Sequence, residues 1–317
     1  YWFAIQFNHP VETVDSLPMA EGEKGQRIIA GFDIEKGGQL LMKIALSTVS
    51  VDGALKNINT ELPGWNFDTI VKEAHDEWRD LLGRVDMEGS DEQKQNLYTS
   101  LYHAYVQPNR ISDVDGLYRN AADSVVKTSG NDFYSTFSLW DTYRAEHPLL
   151  MLLYPRQATH MAQSMLAHQR QSVHGLLPVW SHMANDNWCM SGYHAVSVLS
   201  DALVKGAEID PKEALDAMVA TSNVPYFDGI GSYVNLGYVP LDRNGTAAST
   251  TLEYAYDDWA IYRAALKAGD DETAEKYRKR AMNYRNLFDM STGFARPRYS
   301  DGSFKEKFDV MQTSGEG

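Results

Sequence analysis

Cysteine is almost missing from this chain. Cys189 is the only one in 317 residues, which excludes an intramolecular disulfide and any zinc site built from several thiolates. Basic residues are scarce too: 29 Lys and Arg stand against 43 Asp and Glu, a formal net charge of −14. So acidic a chain suits neither a nucleic-acid backbone nor an anionic membrane. No apolar run is long enough to span a bilayer, and no secretory signal is visible. The phosphate loop, the dinucleotide glycine fingerprint, the Gly-x-Ser-x-Gly elbow and the His-Glu-x-x-His pair are all missing. The nine His show no pair at metal-helix spacing.

Hydrophobic residues make up 43% of the chain, enough for a sizeable core, and the seven Trp and eighteen Tyr suit a protein that handles carbohydrate. Residues 1 to about 60 read as β, with runs at 2–7, 26–32 and 39–47 separated by Gly- and Pro-containing turns. Three such strands cannot bury two faces alone, so they suggest part of a sandwich. A helical linker follows to about residue 90. In it Asp68 is the expected N-cap, and Ile70, Val71, Ala74 and Trp78 form an apolar stripe. From Asp91 the pattern is helical, with expected helices at 91–106, 141–153, 156–171, 192–206, 211–219, 249–268 and 271–288. Long loops at 107–137, 172–191 and 223–248 separate them, and long ordered loops are usually functional. Helices in sequence with such loops between them suggest an α/α barrel or solenoid. The chain opens on Tyr1-Trp2-Phe3-Ala4-Ile5, which reads as mid-strand. It closes on Ser314-Gly315-Glu316-Gly317, which reads as mid-loop. A piece of a longer protein is therefore expected.

Three segments carry chemistry. Ser138-Leu139-Trp140-Asp141-Thr142-Tyr143-Arg144 sets an aromatic plate beside a carboxylate and a guanidinium. Trp140 can stack on a sugar ring while Asp141 and Arg144, three residues apart on one helix face, bracket its hydroxyls. An internal ion pair in a helical turn would explain the same residues. The segment Gly175 to His194 puts Trp180, Trp188, His182 and His194 around Asp186. A carboxyl beside apolar aromatics has its charged form disfavoured, which suits a general acid; an Asn-Asp turn with a buried Trp is the plainer alternative. In Ser249 to Trp259, Ser249 or Thr250 can cap a helix on which Glu253, Tyr256 and Asp257 share a face. That face is either a sugar clamp or an ordinary polar cluster. The stretch Gln107 to Arg119 resembles a calcium loop in composition but lacks the EF-hand spacing and terminal Glu, so it reads as a turn-rich loop.

Taken in order, these segments resemble glycoside hydrolase family 92, the calcium-dependent, inverting exo-α-mannosidases. The resemblance runs from Leu101-Tyr102-His103 and Asp113-x-Asp115-Gly116-x-Tyr118 through Trp140-Asp141-Thr142-Tyr143-Arg144 and Pro178-Val179-Trp180. It continues with Cys189-Met190-Ser191-Gly192-Tyr193-His194, Asp201 to Gly206 and Thr251-Leu252-Glu253-Tyr254-Ala255, and ends at Gly293-Phe294-Ala295-Arg296-Pro297-Arg298. It implies a mainly α chain with an N-terminal β part: the end of a β-sandwich (1–60), a helical linker (61–90) and the first part of an incomplete (α/α)6 barrel (91–317). It implies removal of terminal mannose from glycans outside the cytoplasm, in the periplasm or beyond. Calcium would be the cofactor, with its ligands in this chain unknown. Asp186 takes the position of the general acid; Trp140, Asp141, Arg144, Trp188, His194 and Glu253 would bind the sugar.

Two departures from the family pattern stand out. The family has Asn-Glu where this chain has Asn185-Asp186, and the shorter side chain would hold its carboxyl roughly 1.5 Å further back. A misplacement of about 1 Å can cost on the order of 100-fold in rate. The family's general-base motif would also lie beyond Gly317. An inverting glycosidase needs two carboxyls about 6.5–9.5 Å apart, so residues 1–317 alone are expected to be inactive. A glycosidase for mannosyl phosphates, whose leaving group needs little protonation, and a non-catalytic sugar-binding homologue are the alternatives.

Overall fold

A computed structural model of the chain describes residues 1–311 except 21, 23 and 184; the closing Ser314–Gly317 stretch lies outside the described residues. The chain opens on four strands: β1 (Trp2–Phe7), β2 (Thr13–Leu17), β3 (Arg27–Gly31) and β4 (Met42–Ser47). β1 pairs antiparallel with β4, Trp2 opposite Ser47 and Phe7 opposite Met42. β2 and β3 form a separate hairpin with Thr13 opposite Gly31. The β part ends at Ser47 rather than near residue 60, and β2 was not among the expected runs. Helix α1 (Val51–Glu61) follows at once, capped by Ser50, whose hydroxyl accepts from the Gly53 amide. Ala4 packs with Ala54 and Ile58 in a small cluster between β1 and α1. The other strand faces stay open, with Phe3, Val14, Ile28 and Leu46 all exposed.

Helix α2 (Phe67–Leu82) is capped by Asn66, not Asp68. Its apolar stripe remains largely solvent-facing, although Trp78 meets Tyr102 at 4.6 Å. Helix α3 (Asp91–Ala104) starts with a full capping box, Ser90 and Gln93 each accepting from the other's backbone N–H. Such reciprocal caps satisfy two of the free amides of a helix start. The 107–137 loop is organised by four short strands, β5 (Asn109–Arg110), β6 (Leu117–Arg119), β7 (Val125–Lys127) and β8 (Tyr134–Ser135), paired β5–β8 and β6–β7.

The expected helix at 141–153 is two helices, α4 (Leu139–Thr142) and α5 (Glu146–Leu153). Pro148 explains the break. In a continuous helix it would sit in the interior, lacking an N–H and clashing with the carbonyl of Arg144. Restarting at Glu146 puts it in a first turn, where proline is tolerated. Next come α6 (Pro155–Gln171), the hairpin strands β9 (Ser181–His182) and β10 (Asn185–Asp186), α7 (Ala195–Val204), α8 (Pro211–Thr221) and α9 (Ile230–Leu236). α9 lies in a stretch expected to be loop. Helix α10 (Ala247–Ala268) starts earlier than expected, with Thr246 at the N-cap instead of Ser249 or Thr250. The expected helix at 271–288 is α11 (Asp271–Arg280) followed by a tighter 3-10 stretch, Ala281–Leu287. Strands β11 (Phe288–Asp289) and β12 (Phe294–Ala295) form the last hairpin.

The core is helical. Leu139, Met165, Leu199, Met218, Tyr254 and Ile261 belong to one buried cluster spanning α4 to α10. α7 is buried around nearly its whole circumference, as its continuous Ala-Val-Ser-Val-Leu composition dictates. It packs on α10, which also meets α8 and α11. A second polar core locks these helices: the Asp258 carboxylate accepts from Tyr193, Tyr233 and Arg280 at 2.7–2.9 Å. Burial pushes the Asp258 pKa up to about 6 even against the Arg280 guanidinium. The rigid α7–α10 pair carries one wall of the site.

Candidate functional site

Glu253 and Asp257 are one helical turn apart on α10, so their side chains share a face. One imidazole lies between them. Asp257 Oδ1 lies 2.8 Å from His194 Nδ1, and Glu253 Oε2 lies 3.6 Å from His194 Nε2. Asp257 Oδ2 also accepts from the Tyr193 amide at 2.8 Å, fixing the turn that starts α7. Burial opposes the charged ring, but the Asp257 carboxylate, with help from Glu253, more than offsets it and holds the His194 pKa above the ordinary imidazole value. Gly192 leaves room for the ring: a Cβ there would stand 2.4 Å from His194 Nε2, and its φ of +94° suits glycine alone.

The break between α4 and α5 delivers the other partners of Glu253. The Tyr143 hydroxyl donates to Glu253 Oε2 at 3.2 Å, and its ring stacks on His194 at 4.1 Å between centroids. Burial, then the Glu253 charge, pushes the Tyr143 hydroxyl well above its usual pKa, so it stays a proton donor. Arg144 donates to Glu253 Oε1 at 3.1 Å while its guanidinium lies over Tyr143 and Trp140. Arg144 is thus engaged by Glu253 rather than by Asp141. Asp141 is exposed and accepts from the Ser138 hydroxyl at the head of its own turn.

The second wall is a loop. Trp188, Met190, Phe227 and Trp140 surround a cavity into which Glu253 and Asp228 bring carboxylates. Asp228 escaped the sequence reading; the Asp228-Gly229 turn is its only trace. Its pKa is raised by burial, although Asn244 and Tyr254 hydrogen-bond to it.

Asp186 does not line this cavity. It is buried in the loop, where its carboxylate accepts from the amides of Val179 at 2.8 Å, Trp180 at 3.1 Å and Trp188 at 2.9 Å. The expectation that it projects among aromatic faces is corrected accordingly: three backbone donors claim it first. One of them holds Trp188 at φ +56°, a left-handed conformation costly for a bulky residue. Asp186 thus fixes the backbone that carries the Trp188 indole. His168 Nε2 stands 3.9 Å away, beyond hydrogen-bonding distance.

Among the described residues, the carboxylates of the 107–119 loop are engaged elsewhere and do not fit calcium. Asp113 is buried and spent on Ser47 and Asn57 at 2.7 and 2.9 Å, tying the 107–119 loop to β4 and α1. Asp115 pairs with Lys56 at 2.9 Å. Among the described residues no three His, Cys, Asp or Glu converge as a metal site.

Comparison with known proteins fits this arrangement. The model of the glycosyl hydrolase family 92 catalytic domain matches residues 53–317. The family GH92 alpha-mannosidase BT3965 from Bacteroides thetaiotaomicron superposes with a TM-score of 0.92 at 35% identity, over 99% of this chain and 45% of that one. A complex of that enzyme with mannoimidazole aligns at a TM-score of 0.90 over 97% of this chain and 42% of that one. The family GH92 inverting mannosidase BT2199 from the same species gives 0.89 at 32% identity, over 99% and 45%. An uncharacterized secreted glycosidase of Arthroderma benhamiae is 26% identical over 296 residues, 83% of this chain and 34% of that protein. The chain thus spans less than half the length of these relatives. It belongs to glycosyl hydrolase family 92.

Proposed function

We propose that the protein containing this chain is an exo-acting α-mannosidase that removes terminal mannose from glycans with inversion, in the periplasm or outside the cell. The observation that carries this reading is the Glu253 carboxylate, held by Arg144 and Tyr143 and opening on an aromatic-walled cavity. A fixed carboxylate–guanidinium pair offers an acceptor and donors to adjacent sugar hydroxyls, and Trp140 and Trp188 offer faces for the ring. His194, itself held by Asp257, stands 3.6 Å from the same carboxylate. The mannosidase relatives, one of them bound to mannoimidazole, support mannose as the sugar. In this reading the helices are part of an (α/α)6 barrel and the strands part of a β-sandwich.

Asp186 is the proposed acid for the leaving oxygen. To act, it must give up at least one of its three amide bonds, so proton delivery requires the 181–191 loop to turn. A calcium requirement of the whole protein belongs to the proposal, with ligands from the rest of the protein, and no step is assigned to the metal.

The test is proton NMR of hydrolysis of the methyl glycoside of α-linked mannobiose, whose second sugar is locked and cannot contribute free mannose anomers, by the whole protein. β-Mannose should appear first, before mutarotation; α-mannose first would overturn inversion. Asp186→Asn should then cost on the order of 100-fold on mannobiose, the usual share of a general acid. It should cost far less on mannosyl fluoride, whose leaving group departs unaided. Equal losses on both would remove Asp186 from the acid role.

A further inference from the structure

The His194 ring has one nitrogen more than Asp257 uses. Nδ1 lies 2.8 Å from Asp257 Oδ1. Nε2 is buried without a hydrogen-bond partner among the described residues, and Glu253 Oε2 stands 3.6 Å from it. The charge state of the ring decides whether that approach is favourable. One neutral tautomer would set the Nδ1 lone pair against Asp257 Oδ1. The other would set the Nε2 lone pair against Glu253 Oε2, two acceptors facing each other in a buried place. Only the imidazolium gives each carboxylate a donor. It also suits the Tyr143 ring, stacked on it at 4.1 Å and 16°, since an aromatic face attracts a cation. Burial works against the charge on Asp257, but His194 and the Tyr193 amide both favour its carboxylate form. Arg144 stands at the other oxygen of Glu253. Asp257, His194, Glu253 and Arg144 then alternate in sign and cancel.

We propose that His194 is a positioning residue, kept as an imidazolium by Asp257, and that its Nε2–H draws the Glu253 carboxylate into the orientation that receives the sugar. The proposal rests on reading Glu253 as a sugar-binding carboxylate. Asp257 is fully buried, so its influence on the sugar runs through the ring. The cation is present below the folded pKa of His194, which Asp257 holds above the ordinary imidazole value against the effect of burial. Sugar affinity should therefore persist above the unfolded value of about 6.5 and fall once the ring loses its proton.

The test is calorimetry of methyl α-mannoside binding to the whole protein from about pH 5 to pH 9, a range that brackets imidazole titration. Affinity should fall by up to about tenfold per pH unit along the alkaline limb. Asp257→Asn removes the charge that keeps the ring protonated and should move that limb to lower pH. His194→Gln keeps a neutral N–H donor that does not titrate, and should abolish the limb. A purely structural role for the pair would change affinity or melting temperature without moving the limb. A flat profile in the unaltered protein, or a limb that either variant leaves in place, overturns the proposal. The ring is also read directly, by NMR of whole protein labelled with 15N at histidine, the His194 signal being the one lost in His194→Gln. Glu253→Gln should lower the His194 pKa; an unchanged value overturns the proposal, whether or not the variants above fold. If the unaltered protein binds no methyl α-mannoside at any pH, the mannosidase reading has failed, and the NMR measurement still decides whether His194 acts on Glu253.

Discussion

The two walls of the site are held in different ways. The helical wall is fixed by side chains that grip one another across distant elements: Asp257 on His194, and Arg144 and Tyr143 on Glu253. The loop wall is fixed by one side chain gripping backbone, Asp186 on three amides. The first arrangement stands on a core whose helices bury Asp257 and Asp258 completely, and it resists change. The second concentrates left-handed residues, Met183, Trp188 and Met190, within a few positions of one carboxylate. A wall that must admit a glycan and turn an acid toward it is suited to being held by a few bonds that can be released together. Regions that move in function come from the less stable parts of a fold.

The largest expected effect lies in the helical wall. Asp257→Ala leaves a buried imidazole without its carboxylate, and breaking a buried pair in this way costs about 3–5 kcal/mol. The His194 pKa is raised in the folded state. Its contribution is therefore fully present below the unfolded value of about 6.5 and is lost as pH rises through the higher folded value. Thermal melts of the whole protein should show a large drop for Asp257→Ala near pH 6 and a smaller one well above that window. A pH-independent difference would mean that His194 is neutral and that Asp257 serves only the Tyr193 amide.

The loop wall should break more gently and more locally. Asp186→Asn keeps one acceptor oxygen but turns an NH2 toward an amide it used to accept from. Leaving one or two buried donors unsatisfied costs about 1–3 kcal/mol. Hydrogen exchange is the informative measurement: the Trp180 and Trp188 amides should lose protection while those of α7 and α10 keep theirs. Loss of protection that spread into α10 would show the two walls to be one cooperative unit.

The same contrast decides what could be read from the sequence. The Glu253–Asp257 face was legible because a helix turns one spacing into one direction. The helical stretches after residue 90 were legible for the same reason, although Pro148 split one of them. The partner of Arg144 was not legible. The Arg144 bond to Glu253 joins residues 109 positions apart, and nothing in Trp140 to Arg144 encodes that distance. The partners of Asp186 were not legible because they are backbone amides, which every residue but proline has and no sequence advertises. Helix α1 was hidden by Gly53, a poor helix residue. Its reason is tertiary: a Cβ there would meet Asp113 Oδ2 at 2.4 Å. Strand β2 is exposed at every position, so it lacks the alternation that betrays a half-buried strand.

The smallest expected effect sits beside the helical wall, at Glu146. Glu146 opens α5, and its Oε1 is buried without a hydrogen-bond partner. Burial, and then the nearby Asp141 charge, raise its pKa to about 7. A carboxyl raised in the folded state favours folding below its unfolded value of about 4.5, and that advantage is lost as pH climbs through 7. At higher pH the ionised group is a burden. Glu146→Gln removes the charge and keeps the shape, so it should stabilise the protein above pH 7 by about 1–2 kcal/mol, once water on its partly open side is allowed for. Below pH 5 the gain should vanish, since both side chains are then neutral in the folded protein. Melting temperatures of the two proteins at pH 4.5 and pH 8.5 provide the check. A gain of the same size at both would trace the effect to packing rather than ionisation. A loss at pH 8.5 would reveal a cation or a donor that needs the Glu146 charge, and would make this corner of the helical wall part of the site.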